Sequence, residues 1–176
     1  FKVIVIRIEN KWVWDFWLTE YNNLYFCYFL QANKSLVDPD LRHNNVTQGL
    51  ATSNDLINWE YHGTIFSPSK VENFDDYTTW TGSILKDYNS KWHYFYTGRN
   101  KKEKGAKQRI GHAYGNTPYS FERCGSGLAL DLDKEIYEEY SENGFWKERA
   151  MRDPWVMRHP LKNKYIMAYT ARASIN

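Results

Sequence analysis

Asp15 and Asp153 stand at matching points of a sequence that repeats itself, each set among large apolar residues: Trp14-Asp15-Phe16-Trp17 and Asp153-Pro154-Trp155-Val156. Ser83 holds the matching place between them, in Ser83-Ile84-Leu85. Two carboxylates brought together around a narrow aromatic-lined space suit cleavage of a glycosidic bond. One, ionised, attacks or stabilises an oxocarbenium-like centre, and the other, protonated, releases the leaving group. Plainer readings exist for both, namely a turn or capping aspartate at Asp15 and an Asx turn before Pro154 at Asp153. Asp15 lies mid-strand between aromatic side chains, where an unpaired carboxylate is costly, and that favours a functional role. For Asp153 the spacing alone leaves both readings open.

The elements that must hold these carboxylates read as strands. Trp12 to Leu18, Leu24 to Leu30, Gln48 to Thr52, Trp59 to Phe66, Gly82 to Lys86, Trp92 to Thr97, Arg109 to Tyr114 and Tyr165 to Thr170 are short and rich in aromatic or β-branched residues. Most are bounded by turn formers such as Tyr21-Asn22-Asn23 and Asp87-Tyr88-Asn89-Ser90. The single helix-like patch, Leu132 to Tyr140, is acidic with a weak apolar stripe and reads as an exposed turn or loop. The chain is all-β.

The strands recur in a fixed order. Leu24 to Leu30, Lys91 to Thr97 and Lys164 to Thr170 resemble one another, with Phe29, Tyr96 and Tyr169 in register, and Gly49-Leu50-Ala51 returns as Gly111-His112-Ala113. A repeat of about 70 residues holding about four strands fits one blade of a β-propeller with generous loops. The expected architecture is a five-bladed β-propeller of which about two and a half blades are present, because an open stack would leave an unpaired hydrophobic edge. The whole of 1–176 is then the N-terminal part of a single propeller domain. Blade 1 spans about 12–66, blade 2 about 80–125, and blade 3 starts at about 151–176. In a propeller the first strand of each blade lines the central funnel, so Asp15 and Asp153 would face a common cavity.

At these residues the sequence resembles the levansucrase/invertase clan. Val13-Trp14-Asp15-Phe16-Trp17 looks like the Val-Trp-Asp-x-Trp segment holding the nucleophile in the levansucrase family, glycoside hydrolase family 68. Arg152-Asp153-Pro154 is similar to the Arg-Asp-Pro motif shared with the invertase/levanase family, family 32. Thr79-Trp80-Thr81-Gly82-Ser83 resembles their Trp-Ser-Gly-Ser segment with Thr81 for the first serine. Ser53-x-Asp55-Leu56-x-x-Trp59, followed by Gly63, resembles a blade signature of five-bladed propeller glycosidases. The resemblance spans nearly the whole chain, in the family's order. Phe16 and Leu18 depart from the Ser and Pro typical of levansucrases, and the invertase Asn-Asp-Pro-Asn-Gly pattern is missing.

The resemblance implies a retaining mechanism on a β-fructofuranoside such as sucrose or a fructan, with transfer to another sugar as a companion reaction. Asp15 would be the nucleophile that forms a covalent glycosyl-enzyme. Asp153 would bind sugar hydroxyls and stabilise the transition state, and Arg152 would orient a hydroxyl or hold Asp153 ionised. Trp14 and Trp80 would wall the sugar subsite, although a propeller funnel is packed with aromatics in any case, and Thr81 would supply a hydroxyl contact. The family's general acid is a glutamate well beyond the Arg-Asp-Pro motif, and no Glu follows Asp153 in this sequence. Glu135, Glu138, Glu139, Glu142 and Glu148 precede the motif in a polar stretch and read as solvated charges. Three other readings stand beside this one: an inverting arabinan- or xylan-type propeller glycosidase, a non-catalytic sugar-binding propeller, and a half-propeller that assembles with a partner chain supplying the remaining blades.

Composition excludes several classes. The 176 residues carry 23 Lys+Arg against 21 Asp+Glu, net charge +2. The one basic run, Lys101-Lys102-Glu103-Lys104, reads as a loop, so no nucleic-acid partner is expected. No apolar run approaches the roughly 18 residues that span a bilayer, so no membrane partner is expected either. The 8 Trp and 14 Tyr suit strands and surfaces that stack on flat apolar ligand faces. Cys27 and Cys124 make no disulfide framework, and Cys27 reads as a buried thiol. No secretory signal is visible, and Phe1 in place of Met leads to the expectation that it is not the first residue encoded; the compartment stays open. Asn33-Lys34-Ser35 and Asn45-Val46-Thr47 fit a glycosylation pattern that is common by chance.

No cofactor is implied, and His62, His93, His112 and His159 show no zinc-like spacing. Asp38 to His43 reads as a surface turn held by Asp–Arg pairing, with a substrate-contacting loop over the funnel mouth as the alternative. The expected partners are a small-molecule or oligosaccharide substrate and the remainder of the same propeller.

Overall fold

The computed structural model describes residues 6–35, 38–138 and 149–173. Blade 1 is an antiparallel sheet of β1 (Lys11–Tyr21), β2 (Leu24–Asn33), β3 (Thr47–Ser53) and β4 (Glu60–Phe66) in that order. Blade 2 repeats the plan with β5 (Thr78–Lys86), β6 (Trp92–Arg99), β7 (Arg109–Thr117) and β8 (Ser120–Leu130). Among the described strands, β9 (Met151–Arg158) and β10 (Tyr165–Ala171) pair only with each other and form the start of a third blade. The architecture is the expected all-β one, two full propeller blades and the inner half of another.

The second strand of each blade explains the aromatic content. β2 is buried on both faces, because it is flanked by strands in its own sheet and sandwiched between layers. Its Phe26, Tyr28 and Leu30 face Trp92, Tyr94 and Tyr96 of β6, and this interface is the main core. Trp17 bridges it, with its ring stacked at 6.4 Å from Tyr28 and 5.9 Å from Tyr94. The opposite face of β2, Cys27 and Phe29, packs on Ala51, Val13, Trp59 and Tyr61. Each fully buried aromatic contributes on the order of 2 kcal/mol through area alone, so the blade interface carries the fold.

Polar groups pin the blades in register. Thr79 donates to Gln48 Oε1 at 3.0 Å, and Gln48 Nε2 donates back to the Thr79 carbonyl, both side chains being buried. Asp75, fully buried in the segment linking the blades, accepts from Tyr96 Oη at 2.8 Å and Arg123 Nε at 2.7 Å. The Ser53–Trp59 signature has a local cause. Asp55 accepts from the Ile57 and Asn58 backbone N–H groups, each at 2.8 Å, and from the Ser53 hydroxyl at 2.9 Å. That closes the β3–β4 turn and holds the Asp55 carboxyl far below its ordinary range.

Three readings need correction. β8 is a strand that the sequence pattern misses, since Gly125 and Gly127 at φ +61° and +82° break its apolar alternation. Glu138 is not merely solvated, for it pairs with Arg172 at 2.6 Å; Glu139, Glu142 and Glu148 lie outside the described residues. The third concerns the repeat register and bears on the site.

Candidate active site

The first strands β1, β5 and β9 run side by side at the inner ends of the three blades. Each carries one extra residue against its partner strand. In β1 the register slips between Trp14 and Phe16, which leaves Asp15 unpaired. In β5 it slips between Trp80 and Gly82 and leaves out Thr81. On β9 the slip opposite Ala168 and Thr170 falls at Asp153-Pro154. A bulge of this kind bends the strand and re-aims one side chain, here toward the funnel. Asp15 and Asp153 sit in left-handed backbone, φ +36° and +57°, a conformation that non-glycine residues hold only under constraint. Gly82 follows from the same geometry, because a Cβ there would overlap the Phe95 carbonyl oxygen.

The bulges set the true register of the repeat. Thr81, not Ser83, is the blade 2 counterpart of Asp15 and Asp153. Ser83 is buried away from the cavity, where its hydroxyl oxygen accepts the Val156 N–H at 3.0 Å and helps dock blade 3 on blade 2.

Trp14, Asp15, Trp80, Thr81, Arg152 and Asp153 all line one cavity of about 840 Å³. The Thr81 hydroxyl donates to Asp15 Oδ2 at 2.8 Å, across the boundary between blades 1 and 2. Arg152 Nε lies 3.4 Å from Asp153 Oδ2. Burial pushes the Asp153 carboxyl above its ordinary range, the Arg152 guanidinium draws it back, and the charge of Asp15 pushes it up again.

Of the rest of the lining, the sequence offered the Asp38 to His43 segment only as the less favoured alternative to a surface turn, and it passed over Arg99. Arg42, His43 and Asn44 come from a 3-10 turn, Pro39–Asn44. Arg42 does pair with Asp40, at 3.2 Å, as a surface turn requires, yet the same turn reaches the cavity. Trp80 Nε1 donates to the His43 carbonyl at 2.9 Å and anchors it there. The His43 ring stands edge-on to Trp14, at 5.8 Å, and to Trp80, at 6.5 Å. Under Trp80 the Arg99 guanidinium lies 4.2 Å from the indole centroid, and Arg99 Nε donates to the Gly105 carbonyl at 2.6 Å. Nothing in the pattern of β6 singles out Arg99, and Trp80 Nε1 finding a backbone acceptor in a distant turn has no local sequence signature.

Chemically, the cavity offers two carboxylates, one held by a hydroxyl and one by a guanidinium, between two indoles. Among the described residues no other carboxylic acid lines it. Indole faces suit the apolar faces of a sugar ring, and the charged groups suit its hydroxyls.

Comparison with known proteins gives a consistent picture. Residues 10–176 match the family model described as the glycosyl hydrolases family 32 N-terminal domain. An invertase of Wickerhamomyces anomalus is 32% identical over 125 residues, which are 69% of this chain and 20% of that protein. Among solved structures, a fructofuranosidase from Schwanniomyces occidentalis complexed with fructose superposes with a TM-score of 0.65 at 22% identity, over 94% of this chain and 31% of that one. A β-fructofuranosidase variant from Microbacterium saccharophilum superposes with a TM-score of 0.63 at 22% identity, over 90% and 36% of the two chains. The chain thus spans between a fifth and about a third of the length of these relatives.

Proposed function

The chain belongs to the glycosyl hydrolases family 32 N-terminal domain family, and from that membership and the geometry of its cavity we propose that it forms the nucleophile-bearing part of a β-fructofuranosidase acting on sucrose or a fructan. The observation that carries the proposal is the convergence of Asp15 and Asp153, from bulges two blades apart, on a single cavity walled by Trp14 and Trp80.

In this reading the ionised Asp15 attacks the anomeric carbon of a fructosyl unit. A carboxylate–carbon bond forms as the glycosidic bond breaks, and the oxocarbenium-like charge is spread through the transition state. Thr81 fixes one Asp15 oxygen so that the other faces the substrate. Asp153, held by Arg152, accepts hydrogen bonds from sugar hydroxyls that strengthen as charge develops on the ring. The leaving alcohol takes its proton from an acid contributed by another part of the propeller. Water then releases fructose from Asp15, or a second sugar hydroxyl intercepts the intermediate and is fructosylated. The site thus belongs to a single propeller catalytic domain of which residues 1–176 are the N-terminal part.

Sucrose turnover by the complete protein, followed as release of reducing sugar, tests the reading. Asp15→Asn is expected to lower kcat by about 10³-fold or more, and Asp153→Asn by a smaller factor. Absence of turnover on sucrose and on short fructans, or an Asp15→Asn variant that keeps the wild-type kcat, would count against it.

A further inference from the structure

We infer that Thr97 is a positioning residue that sets the geometry between Asp153 and Asp15, an inference that rests on the catalytic reading above. Thr97 lies on β6, is fully buried and does not line the cavity. A hydroxyl can donate one hydrogen bond while accepting another, and Thr97 does both, accepting across the boundary with blade 3 and donating to the neighbouring strand of its own blade. Its oxygen accepts the backbone N–H of Asp153 at 2.9 Å. Its proton goes to the backbone carbonyl of Thr81 at 3.1 Å. The Thr81 side chain in turn donates to Asp15 Oδ2 at 2.8 Å. One path, Asp153–Thr97–Thr81–Asp15, therefore links the two carboxylate-bearing residues from blade 3 through blade 2 to blade 1.

The backbone explains why such a tie is required. A bulged residue loses its place in the ladder, so the N–H of Asp153 needs a partner from outside its own sheet. Asp153 is also held at φ +57°, and strain of that kind persists only where neighbours over-determine it. Thr97 supplies the constraint from the adjacent blade. Its work depends on the hydroxyl, since valine has the same outline and can neither accept from Asp153 nor donate to Thr81. Removing the hydroxyl takes this partner from the Asp153 N–H and from the Thr81 carbonyl, and both relax by moving the bulges that aim the carboxylates. A displacement of about 1 Å at a catalytic group costs on the order of 10²-fold in rate.

The test is Thr97→Val and Thr97→Ser in the complete protein, assayed on sucrose with thermal unfolding measured alongside. T97V is expected to lower kcat by about 10- to 100-fold with KM within about twofold, because the subsite walls are untouched. T97S is expected to restore kcat to within about threefold. A purely structural role would lower the melting temperature of T97V and leave its kcat unchanged, and that result overturns the inference. So does a T97S variant no faster than T97V. If T97V does not fold, Thr97→Cys, with a weaker donor and acceptor, takes its place; an intermediate loss of kcat supports the inference and the wild-type kcat overturns it.

Carbon-13 NMR titration of the Asp153 carboxyl reads the same placement without substrate. The T97V curve is expected to depart from that of the wild type and the T97S curve to return to it. Should the wild-type protein turn over no fructoside, the catalytic reading fails, and the titration alone decides the positioning: superimposable wild-type and T97V curves overturn it.

Discussion

Thr81, on the first strand of blade 2, donates its hydroxyl hydrogen to Oδ2 of Asp15, on the first strand of blade 1, at 2.8 Å. The family resemblance suggests a sugar contact for this hydroxyl, yet its one proton is committed to a carboxylate. That commitment orients the Asp15 carboxylate. Thr81→Val is therefore expected to lower kcat by about tenfold, the worth of one charge-assisted hydrogen bond, while Thr81→Ser keeps most of it. Steady-state kinetics decide, and an equal kcat in T81V would show that the bond does not matter.

His43 makes a different prediction. Its ring touches Trp14 and Trp80 edge-on and forms part of the cavity wall. Edge-to-face contacts are worth about 0.5–1.5 kcal/mol each. Loss of both loosens the indoles that would stack on the sugar. His43→Ala is expected to raise KM by about 3- to 10-fold and to leave kcat within about twofold, since the bonds that hold Asp15 and Asp153 run to Thr81, Arg152 and Thr97. A change in kcat with KM intact would place His43 in the chemistry instead.

Two tyrosines on β6 differ in a way that stability should reveal. Tyr96 Oη donates to the buried Asp75 carboxylate at 2.8 Å, while Tyr94 Oη, equally buried, has no hydrogen-bond partner among the described residues. Tyr96→Phe strips a donor from Asp75 and is expected to destabilise the protein by about 2 kcal/mol. Tyr94→Phe removes an unpaired hydroxyl and is expected to be neutral or to stabilise by about 1 kcal/mol. Chemical denaturation of both variants checks the contrast, and equal losses would contradict it.

A pH effect on stability follows from the second face of β6. His93 Nε2 donates to Asp87 Oδ2 at 3.2 Å, so its Nδ1 is left to accept from His112 Nε2 at 2.9 Å. Burial, with the neighbouring His93, depresses the His112 pKa from 6.5 to about 4. Between those values the unfolded chain binds a proton that the folded chain does not. The contribution is fully present above pH 6.5 and is lost as pH falls toward 4. Denaturation midpoints for wild type should drop across that window, and the drop should shrink in His112→Phe. Parallel profiles would remove His112 from the account.

Much of the fold and part of the site were legible in the residues. The run Tyr25 to Leu30 is apolar on both faces, which only a central, sandwiched strand satisfies, and its recurrence at Tyr94 and Tyr165 exposes the blades. Asp15 was legible because a carboxylate between Trp14 and Phe16 has no cheap structural explanation. The position of the bulges was not. An inserted residue changes which side chains face the funnel by one step, and the repeat spacing by itself put Ser83 in the place that Thr81 holds, although the family resemblance had already marked Thr81 as a hydroxyl contact. Arg99 was hidden for another reason: it reaches the cavity through a tertiary contact with Trp80 that no local pattern encodes. His43 was legible only as part of a turn with an alternative place at the funnel mouth, and what holds it there is the Trp80 indole of a distant strand. Thr97 was the least visible, because its role lies wholly in hydrogen bonds to Asp153 and Thr81, on two other strands.

The most direct test of the account is whether Asp15 carries the sugar. Complete protein mixed with sucrose, quenched in acid within a turnover and digested, is expected to yield a peptide containing Asp15 that is heavier by one fructosyl unit. Asp15→Asn should yield none. Turnover with inversion at the anomeric carbon and no adduct at any quench time, or an adduct on a different residue, would contradict the assignment of Asp15 as the nucleophile.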